Sequence, residues 1–128
     1  IRKKYICRKQ IKKGISGTKE IFKHFKSGTS VALMIDQRVT QGIRSPLFNI
    51  EALTTTIPAQ FIKKFNCKVV PIYIERKNSE NFILEIMEPM SFEDDQTIEN
   101  ITLKLNKLLE SMILKNPHQW IWSHNRWK

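Results

Sequence analysis

Three features of this 128-residue sequence predict an α/β fold, a mixed β-sheet flanked by helices. Two apolar runs of strand length, Val31–Ile35 and Val69–Ile74, each end in polar or charged side chains. Stretches of helical period stand between and after them, and a hydrophobic content of 41% is enough for the core of one domain.

The first element is an amphipathic helix between Thr18 and Lys26. Ile21, Phe22 and Phe25 recur at helical spacing against Lys19, Lys23 and Lys26, and Ser27-Gly28 closes it. The run Val31-Ala32-Leu33-Met34-Ile35 then reads as a buried strand ending in Asp36-Gln37. In α/β architecture the carboxyl end of a strand faces the crevice where ligands sit, which makes Asp36 the first candidate site residue. The plain alternative is a turn-capping Asp. Arg38 to Asn49 carries Gly42 and Pro46 without clear periodicity and reads as a loop.

Thr54-Thr55-Thr56 offers hydroxyl caps to a helix that tolerates Pro58 in its first turn and continues through Phe61, Ile62 and Phe65. Cys67 to Ile74 is a second strand ending in Glu75-Arg76-Lys77, and Pro71 marks a bulge or an edge. Asn78-Ser79 is turn chemistry, and Phe82 to Met87 is a third strand, the hairpin partner of the second. From Asp94 to Lys115 one apolar stripe (Ile98, Ile101, Leu105, Leu108, Leu109, Met112) predicts a long helix. Its acids lie near the amino end and Lys115 near the carboxyl end, and Asn116-Pro117 stops it.

The last twelve residues hold Trp120, Trp122, Trp127 and Arg126. Tryptophans with cations suit a membrane interface. They equally suit base stacking, or a core closed against the long helix. The net charge of +10 gathers at the start, where ten cations from Arg2 to Lys26 face only Glu20. Such a field favours polyanions: nucleic acid, an anionic membrane surface or an acidic carrier protein. Cys7 and Cys67 lack metal-ligand or disulfide-framework spacing. The start, Ile1-Arg2-Lys3-Lys4-Tyr5, resembles neither a signal peptide nor a membrane span, and the chain is expected to be the carboxyl part of a longer polypeptide.

Taken in order, several segments resemble the lipid A biosynthesis acyltransferases, the lauroyl and myristoyl transferases of the wider lysophospholipid acyltransferase group. They are Ile11-Lys12-Lys13-Gly14, Val31 to Gln37, Ser45-Pro46-Leu47-Phe48 with Ala52-Leu53-Thr54, Val69-Val70-Pro71 to Ile74-Glu75-Arg76, and Pro117 to Lys128. Two departures stand out. Leu47-Phe48-Asn49 replaces the family's phenylalanine pair and glycine, which implies an altered turn. No His is followed at the family's catalytic spacing by Asp or Glu: His24 meets Thr29 and His118 meets Ser123.

The resemblance implies the carboxyl-terminal portion of a glycerolipid-acyltransferase-like fold, spanning 1–128, with an amino-terminal anchor and the His motif upstream. It implies transfer of a fatty acyl group from acyl carrier protein to a lipid A precursor, a late acylation in lipopolysaccharide biosynthesis. The setting is the cytoplasmic face of the inner membrane, against an anionic surface. Neither a cofactor nor a nucleic acid is expected, and the piece alone is expected to be inactive. Asp36 matches the Asp the family places at its site. Gln37 would assist it by hydrogen bonding. Arg2, with Arg8 as competitor, Arg44 and Arg76 would meet phosphate or carrier, because guanidinium forks suit oxyanions. Thr54, read at a helix start, could present backbone donors to an anion.

Two rivals from other classes stand beside this reading. Asp36, Glu75 and Lys77 imitate the Asp…Glu-x-Lys constellation of a metal-dependent nuclease. A non-enzymatic nucleic-acid module would use the charge and the tryptophans without any known recognition motif.

Overall fold

A computed structural model describes residues 2–5, 11 and 14–128. Its elements in order are α1 (Arg2–Tyr5), α2 (Ile15–Lys26), β1 (Ile43–Leu47), β2 (Ile50–Thr54), α3 (Ile57–Phe65), β3 (Ile72–Arg76), β4 (Phe82–Ile86) and α4 (Ile98–Lys115). Two 3-10 turns, Pro117–Gln119 and Trp122–His124, follow. The strands form two antiparallel pairs, β1 with β2 and β3 with β4, and the protein is of mixed α/β class as expected. No helix among the described residues is long and apolar enough to cross a membrane.

The chain divides into two compact units, residues 1–33 and 34–128. In the first, α2 has the expected amphipathic form: Ile21, Phe22 and Phe25 are half-buried, and Lys19, Lys23 and Lys26 are exposed. The Ser27 hydroxyl donates to the His24 carbonyl at 2.7 Å, and Gly28 takes φ of +86°, a left-handed conformation that stops the helix. Cys7, Arg8, Lys12, Lys13 and the side chain of Arg2 lie outside the described residues.

The second unit is organised by α4. Thr97 caps it, its hydroxyl accepting from the Asn100 amide at 3.2 Å. The helix therefore starts at Ile98, later than the expected Asp94, because Asp94 and Asp95 form the turn before the cap. Its buried residues are Ile101, Thr102, Leu105, Asn106, Leu109 and Ile113. The first half of this face packs on α3, where Ile101 and Leu105 meet Ala59, Ile62 and Phe92, with Ile35 and Cys67 at the margin. The second half packs on the β1–β2 hairpin, where Leu109 and Ile113 meet Leu47 and Ala52.

That hairpin corrects one expectation, since Ile43 to Leu47 was read as part of a loop. β1 pairs with β2 in the register Ile43↔Thr54 to Leu47↔Ile50. The link is a two-residue turn with both Phe48 and Asn49 at positive φ, +53° and +61°. This is the geometry that matches strand twist. Asn accepts it readily, and a bulky aromatic does not. The turn is held from outside, as the Phe48 amide donates to Glu110 Oε1 of α4 at 2.6 Å. Buried positions alternate along both strands, but two of them are Ser45 and Thr54. A polar inward face combined with Pro46 hides the strand from a hydrophobic-periodicity reading.

The run Val31–Ile35 corrects a second expectation. It forms no strand, Ala32, Leu33 and Met34 are exposed, and none of its residues is hydrogen-bonded into a described sheet. A strand is defined by its ladder partner, and both hairpins satisfy their ladders internally.

β3 and β4 form the expected hairpin, in register from Ile72↔Ile86 to Arg76↔Phe82. Its turn is closed by Asn78 Oδ1, which accepts from the amides of Glu80 and Asn81. An isolated bridge, Val69↔Met90, extends the pair towards the core.

Candidate active site around Asp36

The ends of two distant segments meet beside β2. The Arg38 amide donates to His124 Nε2 at 3.3 Å, which sets residues 36–38 alongside 124–126. Arg126 is the largest fully buried side chain in the described protein, with 1% of its surface exposed. Its Nη1 donates to the Leu53 carbonyl at 2.7 Å, and its Nη2 donates to the Thr54 hydroxyl at 2.9 Å. The same hydroxyl accepts from Asn106 Nδ2 at 3.2 Å, and Asn106 also donates to the Pro46 carbonyl at 3.0 Å. Gly42 completes the arrangement, because a Cβ there would collide with the Thr54 carbonyl.

A guanidinium remains charged at any ordinary pH, so burying one demands compensation. No carboxylate among the described residues forms an ion pair with Arg126. Burial draws its pKa below the ordinary guanidinium value, and the field of the Asp36 carboxylate opposes that fall. Asp36 Oδ1 and Arg126 Nε are both buried without a hydrogen-bond partner, as are Ser45 Oγ and Asn106 Oδ1. The half-buried Asp36 carboxylate thus lies within the electrostatic reach of a buried cation, in a region with spare donor and acceptor capacity but no direct ion pair. Such a carboxylate can accept a hydrogen bond from a hydroxyl or orient a neighbouring side chain.

The other anticipated residues lie in different places. Gln37 is exposed beside Asp36. Arg44 is exposed in β1, opposite Leu53. Thr54 is buried at the end of β2 rather than at a helix start, and its hydroxyl serves Arg126 and Asn106. This corrects the expectation that it offers backbone donors to an anion, since its side chain is an internal hydrogen-bond hub. Arg76 is exposed with its guanidinium 5.1 Å from the Phe82 ring, while its backbone is bracketed by the Gln119 side-chain amide.

Arg126 was expected at a membrane interface, and its burial corrects that. Trp120 and Trp127 are half-buried against the hairpin core, and Trp127 Nε1 donates to the Leu47 carbonyl at 2.9 Å. Trp122 is 47% exposed, and its Nε1 donates to the Pro117 carbonyl at 2.8 Å. The three rings form one cluster, with centroids 4.6 to 6.2 Å apart.

The nuclease constellation is not assembled. Glu75 is engaged by Lys77 at 2.8 Å and by Asn116, whereas Asp36 lies on the segment bonded to His124 through the Arg38 amide. No group of three or more metal-ligating side chains occurs among the described residues. Arg126, His124 and Asn106 are the members of the site that sequence reasoning missed. Thr102 and Asn106 were the available signal, because they fall in line with Leu109 and Ile113 on the face of α4 that an apolar stripe should fill.

A lipid A biosynthesis acyltransferase of Haemophilus influenzae is 28% identical over 86 residues, 65% of this chain. The match spans 28% of that relative's length. The family profile described as bacterial lipid A biosynthesis acyltransferase matches residues 6–128. With nearly every residue inside that match, the chain belongs to the bacterial lipid A biosynthesis acyltransferase family.

Proposed function

We propose that this chain is the carboxyl-terminal part of a single acyltransferase domain. The reaction moves a fatty acyl group from the thioester of acyl carrier protein to a hydroxyl of a lipid A precursor, as a late acylation. The work is done at the cytoplasmic face of the inner membrane. The observation that carries the reading is the family match across residues 6–128. The buried polar cluster supports a role for Asp36 within it, because one carboxylate oxygen is buried there without a hydrogen-bond partner and so keeps acceptor capacity for another group.

The general base on the acceptor hydroxyl is a His supplied from outside these residues, and no acyl-enzyme is needed. Asp36 orients the acceptor hydroxyl or a partner side chain, and Gln37 assists it at the exposed rim. Arg44 and Arg76, both exposed, are free to meet phosphate or the acidic carrier. Ile121 and Trp122, exposed at 70% and 47%, are the parts of the tail available to a bilayer surface. The piece alone is inactive.

The test is Asp36→Ala in the complete gene product, assayed for acyl transfer to a lipid A precursor. Turnover falls at least about tenfold with the thermal midpoint retained. Near-normal turnover removes Asp36 from the site.

A further inference from the structure

The guanidinium of Arg126 is immobilised by two hydrogen bonds to β2, at Leu53 and Thr54, and Thr54 is in turn tied to α4 through Asn106. It therefore forms a fixed positive point held against β2 of the second unit. Asp36 lies on a segment without regular structure, and its placement depends on contacts outside the backbone ladder. One such contact is the hydrogen bond between the Arg38 amide and His124, two residues from each member of the pair. Asp36 Oδ1 is turned inward and finds no donor, and Arg126 Nε is turned inward and finds no acceptor.

We propose that Arg126 is a positioning residue for acyl transfer, whose locked guanidinium acts on the Asp36 carboxylate through its field, without a direct bond, and keeps its inward oxygen turned towards the polar cluster. The inference rests on the reading that Asp36 belongs to the site. Arg126 touches neither the acyl donor nor the acceptor. Its effect passes through Asp36, and the loop bearing Asp36 needs the external anchor because no strand fixes it.

The experiment compares Arg126→Met, Arg126→Lys, Asp36→Ala and the double variant Asp36→Ala/Arg126→Met in the complete gene product. Leu109→Ala serves as a control that weakens the core without touching the polar cluster. Arg126→Met lowers kcat at least about tenfold with KM changed less than about threefold, and Arg126→Lys recovers part of the loss. The double variant is no slower than Asp36→Ala by more than about twofold, since a residue acting through Asp36 has nothing left to act on. Leu109→Ala keeps kcat despite a lower thermal midpoint. Normal kcat in Arg126→Met overturns the inference, as do losses that multiply in the double variant. If Arg126→Met does not fold, Thr54→Val, which removes one of the two hydrogen bonds that immobilise the guanidinium, is tested against Asp36→Ala in the same cycle, with the same outcomes deciding. A silent Asp36→Ala defeats the underlying reading, whereas an impaired Asp36→Ala beside a normal Arg126→Met defeats this inference alone.

Discussion

The two hairpins of the second unit have strands of equal length, but only β1–β2 has buried strand positions. β1–β2 turns Ser45, Leu47, Ala52 and Thr54 inward to near-complete burial against α4 and the tail. β3–β4 turns Tyr73, Glu75 and Glu85 towards the end of α4, where Lys115 bonds Glu85 and Asn116 bonds Glu75. Its other face shows Ile72, Ile74, Phe82, Leu84 and Ile86 to solvent, each more than half exposed. Burial in this chain thus follows partnership rather than hydrophobicity. Thr54 is interior because Asn106 and Arg126 bond its hydroxyl, and the aliphatic row is outside because nothing in the described protein covers it.

The sharpest test of this contrast substitutes equivalent leucines. Leu47→Ala, from a fully buried site, lowers the stability of the chain by about 2–5 kcal/mol. Leu84→Ala, from a site 56% exposed, changes it by less than about 0.5 kcal/mol. Chemical denaturation of the two variants measures both, and equal losses would abolish the distinction. Next in size is Asn106→Ala, which strips donors from the Pro46 carbonyl and the Thr54 hydroxyl and costs about 1–3 kcal/mol in the same assay.

The smallest effect is a pH response of the β3–β4 junction. Hydrogen bonds from Lys77, then from Asn116, hold the Glu75 carboxyl below the usual carboxylate range. Its folded pKa is depressed, so its contribution is present above the ordinary Glu value and is lost as pH falls through the lowered one. The Asn116 side-chain amide resonance shifts with a midpoint below ordinary Glu titration, and Glu75→Gln removes that shift.

The same contrast explains what could be read from residues alone. α2, α3, α4 and β3–β4 were legible because apolar residues mark their periods and Ser27-Gly28, Asn78 and Asn116-Pro117 mark their ends. β1–β2 was not, since Ser45 and Thr54 occupy inward positions and Phe48-Asn49 is an uncommon pair for its turn. Val31–Ile35 had a strand's composition, but composition cannot supply a ladder partner. Asp36 was identified for its place after that run, whereas the structure gives it a different context, beside a buried cation. Arg126 was misread because cations near tryptophans are ordinarily exposed, and only the tertiary packing of Leu53 and Thr54 reveals its socket.

Arg126 and Trp127 make this short irregular segment matter more than its backbone suggests. Loss of these two side chains spares every helix and strand, yet it withdraws the donors to the Leu47 and Leu53 carbonyls together with the only full positive charge inside the second unit's polar cluster among the described residues. A change confined to two side chains outside any regular element would thus behave as a lesion of the interior.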